Sequence, residues 1–193
     1  MRLAQRVFLG AGCLMLAYAG GTIAYAEFQQ RYQSRKFAHR TATVALTRPA
    51  TGIAKLVDLS EGDLIGKLEI PQIGISVMVL QGVEEGTLRG GAGHVPGTPL
   101  PGAEGNSAIA GHRDTFFRKL ERIRAGDRIQ FSTVLGPSEY VVDSTEIVEP
   151  EDTQVMESRG RPELTLITCY PFYFVGSAPH RFIVHARPAE ERR

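Results

Sequence analysis

The sequence of 193 residues contains no tryptophan and only two cysteines, Cys13 and Cys169. Cys13 lies inside an apolar N-terminal run, so a disulfide between the two would join a membrane segment to a folded domain, and we expect none. The chain also has little net charge, with 22 lysines and arginines against 21 aspartates and glutamates. Because it also lacks a basic stripe among aromatics, we expect no nucleic-acid partner.

Long apolar runs are absent except for residues 7–26, VFLGAGCLMLAYAGGTIAYA, which contain no charged residue. This length suits one transmembrane helix of about 20 residues. A cleaved secretory signal is the alternative, since "AYA" precedes Glu27, but the apolar part of such signals is usually about 7 to 15 residues long. We therefore expect residues 1–26 to be an N-terminal membrane anchor, with a signal peptide as the alternative.

The charges around this segment and the chemistry of the domain predict opposite orientations. Arg2 and Arg6 precede the apolar run, and four basic residues follow it within residues 27–40. By the positive-inside rule this charge alone predicts a cytoplasmic domain. The cysteine chemistry described below predicts the extracytoplasmic side, which we adopt.

The rest of the chain divides by composition into three parts. Residues 27–61 are polar and basic and indicate a juxtamembrane spacer, and residues 189–193 form a polar tail. Between them, residues 62–188 consist of short runs rich in isoleucine, valine and leucine, separated by glycine and proline, which is typical of β-strands. Candidate strands are LIGKLEI, ISVMVL, NSAIAG, DRIQFST, SEYVVDSTEIV, ELTLITC and HRFIVHA. Seven or eight such strands predict a mainly β domain, either a sandwich or a small closed barrel.

Helix is scarce in this domain. The segment DTFFRKLERI, residues 114–123, predicts a helix with Asp114 as its N-cap. Its apolar residues Phe117, Leu120 and Ile123 are expected on one face.

The acidic segment EPEDTQVMES predicts a solvated loop or a short helix. Its carboxylates Glu149, Glu151 and Asp152 offer oxygen ligands, but their spacing fits no EF-hand loop. We expect no cofactor and no metal, with weak calcium binding as the alternative.

Cys169 stands in TLITCYPFYF, at the end of an alternating run rich in β-branched residues. The run predicts a strand, which Pro171 ends because proline has no backbone donor. A lone cysteine is more often a small buried hydrophobic residue than a nucleophile. Catalysis requires a base or acid for proton transfer and a cation or donors for an oxyanion.

His112 is the best candidate for the base. It stands in AIAGHRDTFF, directly after a short strand, where a loop can present an imidazole to a cleft. His94 is the second candidate and is expected in a loop, because the stretch GAGHVPGTPLPG is rich in glycine and proline. His180 and His185 flank the last strand and are expected to pack or cap, and His39 lies in the spacer.

Arg181 shares a strand face with Ile183 and His185 in PHRFIVHA. A partly buried arginine needs an anionic or carbonyl partner. That partner is either an oxyanion forming near Cys169, for which the forked guanidinium is suited, or an acidic side chain in a salt bridge.

Three motifs in order, AGHRDTFF, TLITCYPF and HRFIV, resemble those of the sortases, the membrane-anchored cysteine transpeptidases of bacterial surfaces. The resemblance covers roughly residues 62–187. The glycine-rich approach to His112 is most similar to class D. By this resemblance Cys169 is the nucleophile, His112 the general acid/base and Arg181 the oxyanion-stabilising or substrate-positioning group.

The resemblance implies a closed eight-stranded β-barrel with a few short helices. It also implies cleavage of an LPxTG-like sorting signal after threonine, an acyl-thioester on Cys169, and transfer to an amine such as that of a peptidoglycan stem peptide. No second apolar segment follows the domain and no DPW-like lid precedes it, which disfavours pilus polymerisation. The exact signal and acceptor stay open.

Two other functions compete with this one. An L,D-transpeptidase is also an envelope β-protein with cysteine and histidine, but it carries a histidine and glycine just before the cysteine, which LITC lacks. An anchored binding domain without catalysis is disfavoured because it would keep a buried arginine or histidine without use.

Overall fold

The fold was examined in a computed structural model that describes residues 59–133 and 136–189, together with Arg6, Gly12 and Met15. In residues 59–189 the strands are β1 (Leu64–Ile70), β2 (Ile75–Gln81), β3 (Ala92–His94), β4 (Asn106–Ala110), β5 (Arg128–Thr133), β6 (Gly136–Val148), β7 (Glu163–Tyr170) and β8 (His180–Pro188). An α-helix, α1 (Glu85–Gly90), precedes β3. Short 3₁₀ helices span Pro71–Ile73, Arg118–Arg122 and Thr153–Met156.

The eight strands form a closed barrel in the order β1-β2-β3-β4-β7-β8-β6-β5, and β5 pairs with β1 to complete it. Two neighbouring pairs, β2 with β3 and β4 with β7, are parallel, and the others are antiparallel. Of the two architectures that the strand pattern allowed, the barrel is therefore the correct one, and the prediction of a closed eight-stranded barrel is confirmed.

Alternating side chains of the strands fill the barrel. In β7, Leu164 and Leu166 are fully buried, and Ile109 of β4 and Val184 of β8 are buried with them. Other fully buried large side chains are Leu68, Ile70, Phe117, Leu120, Ile129 and Phe131. Burying such a side chain stabilises the fold by roughly 1.5–3 kcal/mol relative to exposure. Since period-2 alternation points every second residue inward, it also fixes which residues of β4, β7 and β8 face outward.

The predicted helix over residues 114–123 is wrong in type and start. A 3₁₀ helix begins only at Arg118, after Phe117, and no side chain caps it. Phe117 N–H donates to the His112 carbonyl at 3.0 Å, which closes a turn before the helix. The predicted apolar face is nevertheless buried, because a spacing of three residues between Phe117, Leu120 and Ile123 matches the three residues per turn of a 3₁₀ helix.

One helix and one strand were not predicted from the sequence. The stretch EEGTLRGGAGH forms α1 and β3, although its many glycines indicate a loop. By contrast, the acidic segment was predicted to be a loop or a short helix, and it does contain a short 3₁₀ helix, Thr153–Met156.

The predicted membrane anchor, residues 1–26, falls outside the described residues apart from three isolated positions, Arg6, Gly12 and Met15. In the part of the chain that the structure describes, no helix is both long and apolar enough to cross a membrane. Most of the predicted spacer also lies outside the described residues, so the anchor and the boundary at residue 61 stay predictions.

Candidate active site

Cys169 lies one residue before the end of β7, on the outer face of the barrel. Leu164 and Leu166 point into the core, so the alternation of the strand directs Cys169 to the opposite face. The cysteine is free and half-buried. The predicted position at the exit of a strand is confirmed, and the thiol is not packed away as a core side chain.

Arg181 is the direct antiparallel partner of Cys169 across β7 and β8. Residues opposite one another in such a pair point to the same face, with Cβ atoms about 4.5–5.5 Å apart. Arg181 Nη1 donates to the carbonyls of Ala178 at 3.3 Å and His180 at 3.0 Å. Among residues 59–133 and 136–189 these carbonyls, and no carboxylate, are its partners, so the alternative of a salt bridge is not formed there.

His112 reaches the same site from the other side of β7. β4 pairs in parallel with β7, with Ala110 opposite Ile167. Just beyond the strand, Gly111 N–H donates to the Ile167 carbonyl at 3.0 Å, and the Thr168 side chain donates through Oγ1 to the Gly111 carbonyl at 2.7 Å. His112 is the next residue, so the chain carries it past the end of β4 at the same end of the barrel where Cys169 lies near the end of β7.

Three neighbouring strands therefore bring His112, just after β4, Cys169 of β7 and Arg181 of β8 to the same end of the barrel, and we call these residues the outer row. A thiol, an imidazole and a guanidinium supply the three groups that covalent acyl transfer requires: a nucleophile, a proton carrier and a cation for the oxyanion. The barrel brings together all three residues that the motifs predicted, although they are separated by more than 50 residues between His112 and Cys169 in the sequence.

A sequence model of the Sortase domain matches residues 68–189. The chain belongs to the sortase family. Sortase D of Bacillus subtilis (strain 168) is 35% identical over 127 residues, which cover 65% of this chain and 64% of that protein. The alignment thus spans less than two thirds of the length of this relative.

Solved sortase structures share the fold. A sortase D5 transpeptidase of Clostridium perfringens has a TM-score of 0.66 and 24% identity, covering 85% of this chain and 98% of that one. Clostridium perfringens sortase C with the C-terminal cell wall sorting motif has a TM-score of 0.65 and 22% identity, covering 81% of this chain and 86% of that one. These neighbours agree with the barrel, and the similarity to sortase D agrees with the class indicated by the motifs.

His94, the second candidate base, is not part of the outer row of this sortase. It is the last residue of β3 and 2% exposed, so its prediction as a loop residue is wrong. Its Nε2 lies 2.9 Å from the Pro99 carbonyl oxygen and its Nδ1 lies 2.9 Å from Gln81 Oε1. Burial lowers the pKa of His94, and the hydrogen bond with Pro99 only partly opposes this. His94 is a structural histidine that joins β3 to the following loop.

The two histidines of β8 have acidic partners. His180 Nδ1 lies 3.3 Å from Glu149 Oε1, and His185 Nε2 lies 2.7 Å from Glu146 Oε1. His185 lies four residues along β8 from Arg181, and its own cross-strand partner is Thr165. Both histidines therefore pack against neighbouring groups as expected, and His39 lies outside the described residues.

The acidic segment has no cluster of ligands for a metal. Within residues 59–133 and 136–189, no group of three or more histidine, cysteine, aspartate or glutamate side chains is arranged to hold an ion. Asp152 Oδ2 instead accepts a hydrogen bond from Glu149 N–H at 3.1 Å and so closes a local turn. The expectation that this sortase needs no cofactor, with weak calcium binding as the alternative, stays a prediction.

Two residues near the outer row were not predicted. Glu85 of α1 has Oε2 3.8 Å from His112 Nε2, and Arg113 binds the loop that follows Cys169. Arg113 was visible in the motif AGHRD, directly beside the predicted base. The position of Glu85 near His112 could not be predicted from the sequence, because it depends on the placement of α1.

Proposed function

We propose that this sortase is a cysteine transpeptidase that cleaves an LPxTG-like sorting signal after threonine and transfers the acyl group to an amine of the cell envelope. The observation that carries the proposal is the outer row, in which Cys169 lies on β7 between β4, which His112 follows by two residues, and β8, which carries Arg181. Support for the signal comes from the family and from the solved sortase C structure that holds a cell wall sorting motif.

In the first half-reaction Cys169 is the nucleophile. The thiolate attacks the carbonyl carbon of the threonine in the signal, and the negative charge moves to the carbonyl oxygen beside Arg181. The C–N bond then breaks, and the leaving amine takes a proton from His112. The product is an acyl-thioester on Cys169, while the C-terminal piece of the signal leaves as a free amine.

In the second half-reaction an acceptor amine attacks the same carbonyl carbon. It gives a proton to His112, the new amide bond forms, and Cys169 leaves as a thiolate. His112 thus returns to its protonated form, so one histidine serves both steps. With water in place of the amine the product is the free acid, and the reaction is hydrolysis.

Arg181 is suited to the oxyanion because of its remaining donors. Among the described residues its hydrogen bonds run through Nη1, which leaves Nη2 and Nε to meet a substrate. Preorganised donors of this kind stabilise charge that develops in the transition state, and they need no reorganisation during the reaction.

The experiment that tests the function is acyl capture with the full chain. Peptides bearing LPxTG and LPxTA signals are mixed with the protein, and intact-mass spectrometry detects an adduct on Cys169. One adduct that is absent from Cys169→Ala establishes the chemistry and identifies the signal. Absence of any adduct from a folded protein, whose thiol still reacts with iodoacetamide, rejects these signals and favours a domain that only binds peptides.

We further propose that residues 7–26 anchor the protein in the bacterial cytoplasmic membrane, with the barrel on the extracytoplasmic side. The support is the length of the apolar run and the location of the proposed substrates in the envelope. The test is a pair of fusions at the C-terminus. Activity of an alkaline phosphatase fusion supports an exported domain, whereas fluorescence of an ordinary green fluorescent protein fusion places it in the cytoplasm and rejects the proposal.

A further inference from the structure

The side chain after His112 binds the loop after Cys169. Arg113 Nη1 donates to the Pro171 carbonyl at 3.1 Å, and Nη2 donates to the Phe174 and Gly176 carbonyls, both at 2.9 Å. The guanidinium carbon also lies 5.8 Å from the centre of the Phe174 ring. One half-buried arginine thus holds three backbone carbonyls of residues 171–179, which we call the β7–β8 loop.

The β7–β8 loop has little apolar burial of its own. Phe172 is 8% exposed, but Tyr173, Phe174 and Val175 are exposed, and Val175 is 96% exposed. A loop with so much exposed apolar surface depends on polar contacts for a single conformation. Arginine suits this task, because its planar fork of five donors reaches several carbonyls at once and stays charged.

A second contact joins the same two segments. The Arg118 guanidinium lies 4.8 Å from the centre of the Tyr173 ring, and the Tyr173 hydroxyl donates to Glu121 Oε1 at 3.1 Å. Arg113, Arg118 and Glu121 all belong to the segment that follows His112. The segment that follows the proposed base therefore contacts the β7–β8 loop at four residues, Pro171, Tyr173, Phe174 and Gly176.

The loop lies at the end of the outer row, since it joins β7 just after Cys169 to β8 just before Arg181. A peptide whose carbonyl reaches Cys169 and Arg181 must pass beside this loop. A shift in the loop thus changes the position of a peptide, whereas a small reagent needs only the exposed part of the thiol.

We propose that Arg113 is a positioning residue for acyl transfer: it fixes the β7–β8 loop beside Cys169 and thereby aligns the sorting peptide with the outer row. It acts through the loop carbonyls and not on the reacting atoms. The inference rests on the proposed function for its substrate. The geometric part, that Arg113 fixes the loop, is testable without any substrate.

The test uses the full chain with Arg113→Ala, Arg113→Lys and a control, Arg128→Ala. Arg128 lies on β5, three strands from β7, and pairs with Glu139 of β6, so its loss removes an exposed arginine contact away from the site. Three quantities are measured: kcat and KM for acylation by an LPxTG peptide, the rate of Cys169 alkylation by iodoacetamide, and amide hydrogen exchange in residues 171–179.

For Arg113→Ala we expect kcat/KM for the peptide to fall on the order of 10-fold to 100-fold, as for other small misplacements of a substrate. Alkylation stays within about twofold of wild type, and exchange in the loop becomes faster while the rest of the barrel is unchanged. Arg113→Lys recovers part of the loss, because its single nitrogen reaches fewer of the three carbonyls. Arg128→Ala matches wild type.

Three results overturn the proposal. Loop exchange in Arg113→Ala that equals wild type shows that Arg113 does not fix the loop. Acylation at the wild-type rate despite faster exchange shows that the loop does not align the peptide. A parallel fall in acylation and alkylation places the effect on the thiol itself. If wild type forms no adduct with any peptide, the proposed function fails, and loop exchange alone then decides whether Arg113 holds the loop.

Discussion

Cys169 and Arg181 are direct partners across the antiparallel β7–β8 pair, so a thiol and a guanidinium leave the same face of the barrel side by side. The backbone hydrogen bonds between β7 and β8, rather than loops, set the spacing of these two residues. The strands thus fix the distance between the proposed nucleophile and the proposed cation, as a preorganised site requires.

Arg181→Lys tests whether the forked donors matter. Arg181 uses Nη1 for the carbonyls of Ala178 and His180, whereas a lysine has one nitrogen for those carbonyls and the substrate together. We expect kcat/KM for acylation to fall by about 10²–10³, the usual loss of an oxyanion donor. The control is Arg187→Lys on the same strand, an exposed arginine 3.8 Å from Asp143. Equal activities of the two variants would reduce Arg181 to a general positive charge.

Cys169→Ala separates chemistry from stability. The side chain is half-buried on the outer face, so its loss removes little core packing. We expect the acyl adduct to disappear, while the free energy of unfolding stays within about 0.5 kcal/mol of wild type, as for substitutions away from the core. Intact mass and denaturant unfolding measure the two quantities. Turnover close to that of wild type in this variant would show that Cys169 is not the nucleophile.

Ser107→Ala should stabilise the barrel. Ser107 is 1% exposed and, among the described residues, its Oγ is buried without a hydrogen-bond partner. Leaving such a group unpaired costs about 1–3 kcal/mol, so alanine should raise the free energy of unfolding by about 1 kcal/mol. The contrast is Thr168→Val, which removes the 2.7 Å bond to the Gly111 carbonyl and should lower it by a similar amount. A loss of stability in Ser107→Ala contradicts the prediction.

Gly111→Ala tests the close approach that precedes His112. A Cβ on Gly111 would lie 2.7 Å from Phe117 Cδ2, and the Phe117 ring is fully buried. The ring cannot move without overpacking, which costs about 1–3 kcal/mol, and any shift of the backbone displaces His112. We expect both a lower melting temperature and a lower kcat/KM. Gly86→Ala on α1, where a Cβ meets nothing within 4 Å, is the matched control and should lower neither quantity, because alanine is the better helix former.

The sequence predicted the strands of the site better than their arrangement. The alternation in ELTLITC and the proline after it correctly placed Cys169 at the end of β7, because local burial and backbone chemistry determine both. The parallel contact of β4 with β7 brings His112 to Cys169, and it depends on a crossover of more than 50 residues that no local pattern encodes. The motifs supplied this contact only through the resemblance to sortases.

The incorrect and missing predictions have identifiable causes in particular segments. Helix α1 and β3 lie in a glycine-rich stretch, and their order comes from tertiary contacts such as the pairing of Gly93 with Leu80 and Ala110. His94 was therefore assigned to a loop although it is buried. The contact between Arg113 and three loop carbonyls could not be predicted either, since nothing in the sequence shows which way the β7–β8 loop turns.

His94 gives the fold a pH dependence whose direction follows from its burial. Burial lowers the pKa of His94 in the folded protein, while in the unfolded chain the pKa stays near its ordinary value of about 6.5. Between these two values the unfolded chain binds more protons than the folded one, so the free energy of unfolding decreases as the pH falls below about 6.5. Above that range both states hold a neutral ring, and the stability is fully present.

His94→Gln isolates this contribution, because glutamine does not titrate and the other histidines are common to both proteins. Denaturant unfolding of wild type and variant at pH 7.5, 6.5 and 5.5 gives the difference in free energy of unfolding at each pH. At pH 7.5 we expect wild type to be the more stable, since the neutral ring is buried and its single N–H can donate to the Pro99 carbonyl. The difference should shrink on acidification, as protonation of the unfolded chain destabilises only wild type. A difference that stays constant with pH shows that His94 titrates alike in both states and that its burial has no effect on proton binding.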